Sequence, residues 1–237
     1  MWQELREELY PKGFEIVTVA LDTGGAEAAL PYVEAAGSRH PSLVDVRHRL
    51  DELLGIKNVP EAVWIDEEGM LVRPPETAAP QSMTAMLPSV QLPPDTPSRV
   101  VAMMEEAYKI QNDAEAYVAA LRDWVERGAE SPYALSPDEV VRRSRPRPPE
   151  VAAAAAAFEL AQHLHCQGHA DDAVRWFREA HRLEPDNWTY RRQAWFFADP
   201  VLIGPKEGAE DQWPYDSDWL TDARKVGAEN YYPLPEL

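Results

Sequence analysis

The sequence predicts an α/β layer arrangement over residues 1–129, followed by an all-α region over 150–200. Three observations carry this expectation. Phe14–Leu21 (FEIVTVAL) is a β-branched apolar run of strand length with both faces partly apolar, the pattern of a buried parallel strand. Ala62–Asp66 and Met70–Arg73 flank Glu67-Glu68-Gly69, an acidic turn whose glycine supplies a positive φ between two hairpin strands. Residues 150–198 read as helix throughout.

The remaining elements follow in chain order. Trp2, Leu5, Leu9 and Tyr10 share one helical face, which Pro11-Lys12-Gly13 ends. After the Phe14–Leu21 strand, the turn Asp22-Thr23-Gly24-Gly25 leads into a helix over Ala26–Ala36. Ser42–Val46 is a short extended piece. Arg47–Leu54 is a helix with Leu50, Leu53 and Leu54 inward and Gly55 as its stop. Residues 74–97 hold seven of the 22 prolines and read as an irregular insertion, and helices follow at Ser98–Gln111 and Asp113–Gly128. Residues 130–149 are polar and rich in proline and arginine. They read as a linker containing one short helix capped at Ser136. The tail 201–237 carries Trp213, Tyr215, Trp219, Tyr231 and Tyr232, too many aromatics for a disordered segment, so it is expected to pack back onto a domain or cover a groove.

Composition narrows the function classes. Among 237 residues, 41 acids against 23 basic residues give a net charge of -18, which disfavours nucleic acid and anionic membranes as partners. The basic cluster Arg142, Arg143, Arg145 and Arg147 reads as part of a solvated linker. No run of 18 apolar residues occurs. The opening MWQELREELY lacks a basic n-region and an apolar h-region, so a cytoplasmic location is expected of the chain as given. One cysteine, Cys166, excludes an internal disulfide, a CxxC pair and a cysteine-rich metal site.

GIKNVPEAVWIDEEGMLV resembles the strand–hairpin half of TlpA/ResA-type thioredoxins and related peroxiredoxins. There, a short helix ends in glycine, a Val-Pro or Thr-Pro pair opens a strand, and an acidic-Gly turn leads to the next. KGFEIVTVALD resembles the family's second strand, YVEAAGSRHPSLVDV the stretch before the helix preceding that proline, and Ala114–Gly128 its last helix. The resemblance implies a thioredoxin-like fold and a cis Val59-Pro60 bond. It also implies a peptide-binding face of which only Val59 and Pro60 are matched. The family's first strand and W-C-x-x-C turn would lie before residue 1, so no catalytic residue is carried over. That strand is the middle one of the family's sheet. Its place is therefore expected to be open between the strands at 14–21 and 62–66 unless another segment, such as Met86–Leu92, or another chain fills it.

A second resemblance lies in Ala157, Leu160, Ala161, Leu164, Gly168, Ala173, Phe177, Ala180, Leu183 and Pro185, which fit one tetratricopeptide repeat. The helices are 150–167 and 170–183, with Trp188–Phe197 as the capping helix. One repeat cannot bury its apolar face alone and must stack on something else.

Other chemistry-bearing residues read as structural. His163, His165, Cys166 and His169 include a chelating spacing but fall at the repeat's outward positions. Asp66, Glu67 and Glu68 read as a solvated turn, Trp2 and Trp64 as core, with a flank of the family's active-site groove as the alternative for Trp2, and Asp22-Thr23-Gly24 lacks a phosphate-binding fingerprint. The expectation is therefore a protein-interaction module that takes a protein or peptide partner at Val59 and Pro60, with no cofactor or metal and with oligomerisation open. The alternative is a thiol-disulfide oxidoreductase or peroxidase whose active-site segment lies upstream of an incorrectly assigned start.

Overall fold

A computed structural model of the chain describes residues 2–78, 80–81, 92–144 and 147–237. Helix α1 (Trp2–Leu9) precedes β1 (Thr18–Leu21), α2 (Gly25–Ala36), β2 (Ser42–Asp45), α3 (Arg49–Leu54), β3 (Glu61–Ile65) and β4 (Leu71–Thr77). Helices α4 (Ser98–Ala107), α5 (Ala114–Arg127), α6 (Pro137–Ser144), α7 (Pro149–Cys166), α8 (Ala170–Leu183), α9 (Trp188–Ala198), α10 (Trp219–Val226) and α11 (Ala228–Tyr231) complete the described elements. Among these residues no helix is long and apolar enough to cross a membrane.

Among the described residues the strands form two separate pairs rather than one mixed sheet. β1 pairs with β2 in parallel, Thr18 opposite Ser42 and Leu21 opposite Asp45, and β3 pairs antiparallel with β4. β1 and β3 are not hydrogen-bonded to each other among the described residues. Of the candidate filler segment, only Leu92 lies within them. β1 is shorter than its apolar run. Pro41 precedes Ser42 and has no N–H to give, so the ladder opens where Thr18 N donates to the Pro41 carbonyl at 3.0 Å. β4 is longer than expected and runs through Pro74 and Pro75. The register shifts between Ala62 and Trp64, and that bulge absorbs two residues that cannot donate to a ladder.

Two cores are present among the described residues. In the first, Leu5 and Leu9 of α1 and Tyr117, Ala120 and Leu121 of α5 close over Trp64 of β3. Trp64 stacks on Trp124 with centroids 5.0 Å apart and donates from its indole to Tyr117 Oη at 3.2 Å. In the second, Ala157 and Ala161 of α7 lie against Ala173, Phe177 and Ala180 of α8, and their small side chains let the helices approach closely. Gly168 makes the turn between them at φ +82°. Trp195 of α9, with Trp219, Tyr231 and Tyr232 from the tail, completes this core. The aromatic tail is thus folded back onto the helical layer.

Two expectations fail locally. Residues 130–149 are no free linker, since Leu135 N donates to the Val72 carbonyl at 3.1 Å and α6 lies along β4. Ser136 does cap α6, accepting from Glu139 N at 3.3 Å. In α3, Leu53 is exposed and Asp51 is the buried residue, because Asp51 has partners in the helical layer that outweigh its charge.

Candidate functional site

Val59-Pro60 is cis and sits between α3 and β3. Its surroundings come from the far end of the chain. Tyr232 Oη donates to the Val59 carbonyl at 2.7 Å, and Arg192 Nη1 approaches the same oxygen at 3.4 Å. Asn58 Nδ2 donates to the Tyr231 carbonyl at 2.9 Å, while Asn58 Oδ1 accepts from Val59 N at 2.9 Å and from the Arg192 guanidinium. Both main-chain groups of Val59 are therefore engaged within the molecule, and Asn58 is buried against the tail while the Val59 side chain stays exposed.

One residue upstream, the Lys57 carbonyl accepts from Trp188 N at 2.7 Å and Thr189 N at 3.1 Å, the first amides of α9. Lys57 Nζ pairs with buried Glu184 at 2.8 Å. Immediately downstream, Glu61 accepts from Lys57 N at 3.1 Å, and burial pushes its carboxyl up to about 7.

A polar seam continues from this loop between the two layers. Asp51 accepts hydrogen bonds from the Tyr190 hydroxyl and from Arg147 Nη2 (3.3 Å), and burial pushes it up to about 6. His48, at φ +54°, shares Gln193 Oε1 with Thr23 N, at 3.2 and 2.9 Å, and burial pushes the imidazole down to about 4. Since Gln193 Oε1 is the acceptor for Thr23, His48 Nε2 carries the proton there and its Nδ1 is a bare acceptor. Phe158 stacks on Tyr190 at 4.0 Å and seals the seam from the α7 side.

The other residues singled out in the sequence fall into structural places. Asp66 Oδ1 accepts from Glu68 N and Met70 N, at 3.1 and 2.8 Å, and so builds the hairpin turn. Asp22 Oδ1 accepts from Gly24 N at 2.7 Å, and Thr23 Oγ1 accepts from Gln162 Nε2 at 2.5 Å, docking this turn onto α7. Trp2 meets Tyr117 edge-on at 6.3 Å. His165 stacks on Phe197 at 3.7 Å and Cys166 is exposed; no group of three or more metal-ligating side chains occurs among the described residues.

Asp51, Tyr190, Arg192 and Tyr232 were not singled out as site residues by sequence. The signal for Tyr232 was the aromatic density of the tail. Asp51, between Leu50 and Leu53, carried no signal. In comparison with known proteins, the chain matches no family model, no curated protein and no solved structure.

Proposed function

We propose that the chain is a thioredoxin-like protein-interaction module with no dithiol chemistry of its own. In this reading the Val59–Pro60 loop is the receiving surface, and the Tyr231–Tyr232 segment is its resident occupant. One observation carries the reading: the main chain and flanking side chain of the loop are already hydrogen-bonded to a segment 173 residues away, through Tyr232 Oη to Val59 O and Asn58 Nδ2 to Tyr231 O. A loop that offers the Val59 carbonyl and the Asn58 side-chain amide can hold another segment that brings a hydroxyl donor and a main-chain carbonyl to the same places. The tetratricopeptide-like pair α7–α8 supports the same reading by holding α9 and the tail against the loop. Cys166, the one cysteine, is exposed on α7 and has no thiol partner in the sequence.

The test uses the full chain, isotopically labelled, with a synthetic peptide of residues 226–237 added in trans. The Val59 and Asn58 amide signals are expected to shift saturably, and at lower peptide concentration in the Tyr232→Ala chain, where the resident contact is weakened. No shift in either chain overturns the receiving role of the loop. Insulin reduction or peroxide turnover by the polypeptide would overturn the module reading in favour of redox chemistry.

A further inference from the structure

A cavity of about 480 Å³, within the range of small-molecule sites, opens between α8, α9 and residues 216–225. Its charge runs against the rest of the molecule. Arg178, Arg182, Arg191 and Lys225 line it against two acids, Asp216 and Asp222, on a chain of net charge -18. Arg191 pairs with Asp222, but the Arg178–Asp216 pair is 3.6 Å long with Asp216 largely exposed, and Lys225 makes no ion pair among the described residues. Arg182 pairs with Glu179 at 2.7 Å on the exposed face of α8.

Just beneath the wall of this cavity lie polar atoms with nothing to bond. Arg191 Nε, Trp195 Nε1 and His181 Nε2 are buried and have no hydrogen-bond partner among the described residues. Trp195 is 0% exposed. Arg191 and Trp195 stand four residues apart on one face of α9. A tryptophan indole and an arginine Nε can only donate, so whatever satisfies them must accept. Leaving a buried donor unpaired costs about 1–3 kcal/mol. His181 lies 6.2 Å from the Trp195 ring, centroid to centroid. Burial, with Arg191 beside it, pushes His181 down to about 3, so it stands neutral in the wall.

We propose that this cavity binds a small polyanion, whose carboxylate or phosphate oxygens part the covering side chains and accept from Trp195 Nε1 and Arg191 Nε while Arg178, Arg182 and Lys225 balance its remaining charge. The donor-only pair sets the ligand's polarity, and the cationic excess sets its sign. The inference stands independently of the role of the Val59–Pro60 loop.

The experiment titrates the full chain with citrate and, separately, with inorganic pyrophosphate. Chloride at equal ionic strength is the control. The Trp195 indole N–H resonance, assigned with Trp195→Phe, is followed alongside calorimetry. A saturable shift with citrate alone identifies carboxylate ligands, with pyrophosphate alone phosphate ligands, and with both the shared chemistry; each supports the site. The double substitution Arg178→Gln/Lys225→Gln alters only exposed ends of side chains and is expected to weaken binding about tenfold or more. Trp195→Phe is expected to weaken it with charge unchanged. If neither anion moves the indole signal beyond the chloride control, the donors are met by water and the proposal is overturned. Equal affinity of the double variant and the native chain overturns it as well.

Discussion

The Tyr232 phenol and the Val59 carbonyl lie 2.7 Å apart across 173 residues of sequence, tying the end of the chain to the loop that opens β3. Tyr232 is buried, and its ring packs on Tyr231 at 4.7 Å, so the hydroxyl is aimed by the helical core rather than free to rotate away. Tyr232→Phe keeps the ring and removes the donor. It is expected to cost about 1 kcal/mol and lower the melting temperature by about 2–4 °C, read by calorimetry.

Tyr190 and Asp51 form the corresponding tie in the seam. Tyr190→Phe leaves the buried Asp51 carboxylate with Arg147 as its remaining side-chain donor. A cost of about 1–3 kcal/mol is expected in urea denaturation at pH 8. The cost is expected to shrink at pH 5, below the value of about 6 to which burial raises Asp51, since a protonated carboxyl needs the phenol less.

Glu61 gives stability a pH dependence with a definite sign. Its folded carboxyl titrates near 7, against an ordinary value of 4.5, because of burial. Between those values the folded chain holds a proton that the unfolded chain has released. The contribution is therefore fully present below pH 4.5 and lost as pH rises to 7. Glu61→Gln abolishes this slope while keeping an acceptor for Lys57 N. Relative to the native chain, the variant is expected to gain on the order of 2–3 kcal/mol between pH 4.5 and 7.5. The buried His48 and His181 slope the other way but cancel in this comparison.

Gly204 lies under the Arg99 guanidinium, and a Cβ there would overlap it. Gly204→Ala is expected to displace Arg99 from Asp218 Oδ1 (2.5 Å) and from the Leu202 carbonyl (3.3 Å). The expected cost is about 1–3 kcal/mol, with chemical-shift changes confined to α4, Leu202 and the start of α10.

Arg73 is 1% exposed, and its guanidinium is held by Glu76 at 2.8 and 2.9 Å, Tyr133 O at 3.0 Å and Glu236 O at 2.7 Å. Arg73→Met takes the donor from the Tyr133 carbonyl and both short hydrogen bonds from Glu76, which keeps Arg143 at 3.6 Å, while the Glu236 carbonyl keeps Arg143 Nη1 at 3.2 Å. A loss of about 3–5 kcal/mol is expected in chemical denaturation.

What could be read from the sequence was local and periodic. The hairpin around Gly69, the helices at 98–127 and 149–198 and the return of the aromatic tail all follow from spacing, breakers and composition. The long-range polar contacts were not legible. Asp51 sits among leucines and reads as the wet side of α3 until Tyr190, 139 residues on, is placed against it. Arg147 reads as linker charge until its guanidinium meets the Asp51 carbonyl at 2.9 Å. The shortening of β1 was written in Pro41, but only in a register that single-strand periodicity does not supply. Pro74 and Pro75 argued against a strand for the sound reason that neither can donate, and the bulge in β4 is how the chain evades it.

The Lys57 carbonyl, shared by the first two amides of α9, sets how the molecule comes apart. The same loop that opens the β3–β4 hairpin also caps the helix on which the second core is built. Losing that cap would leave two α9 amides without partners and take from buried Glu184 its cation, leaving it Asn187 Nδ2 at 3.0 Å, while detaching the tail would bare Asn58 and Val59. Neither half therefore has a low-cost way to open alone. Despite its two cores the chain is expected to melt in one transition, with calorimetric and van't Hoff enthalpies in agreement.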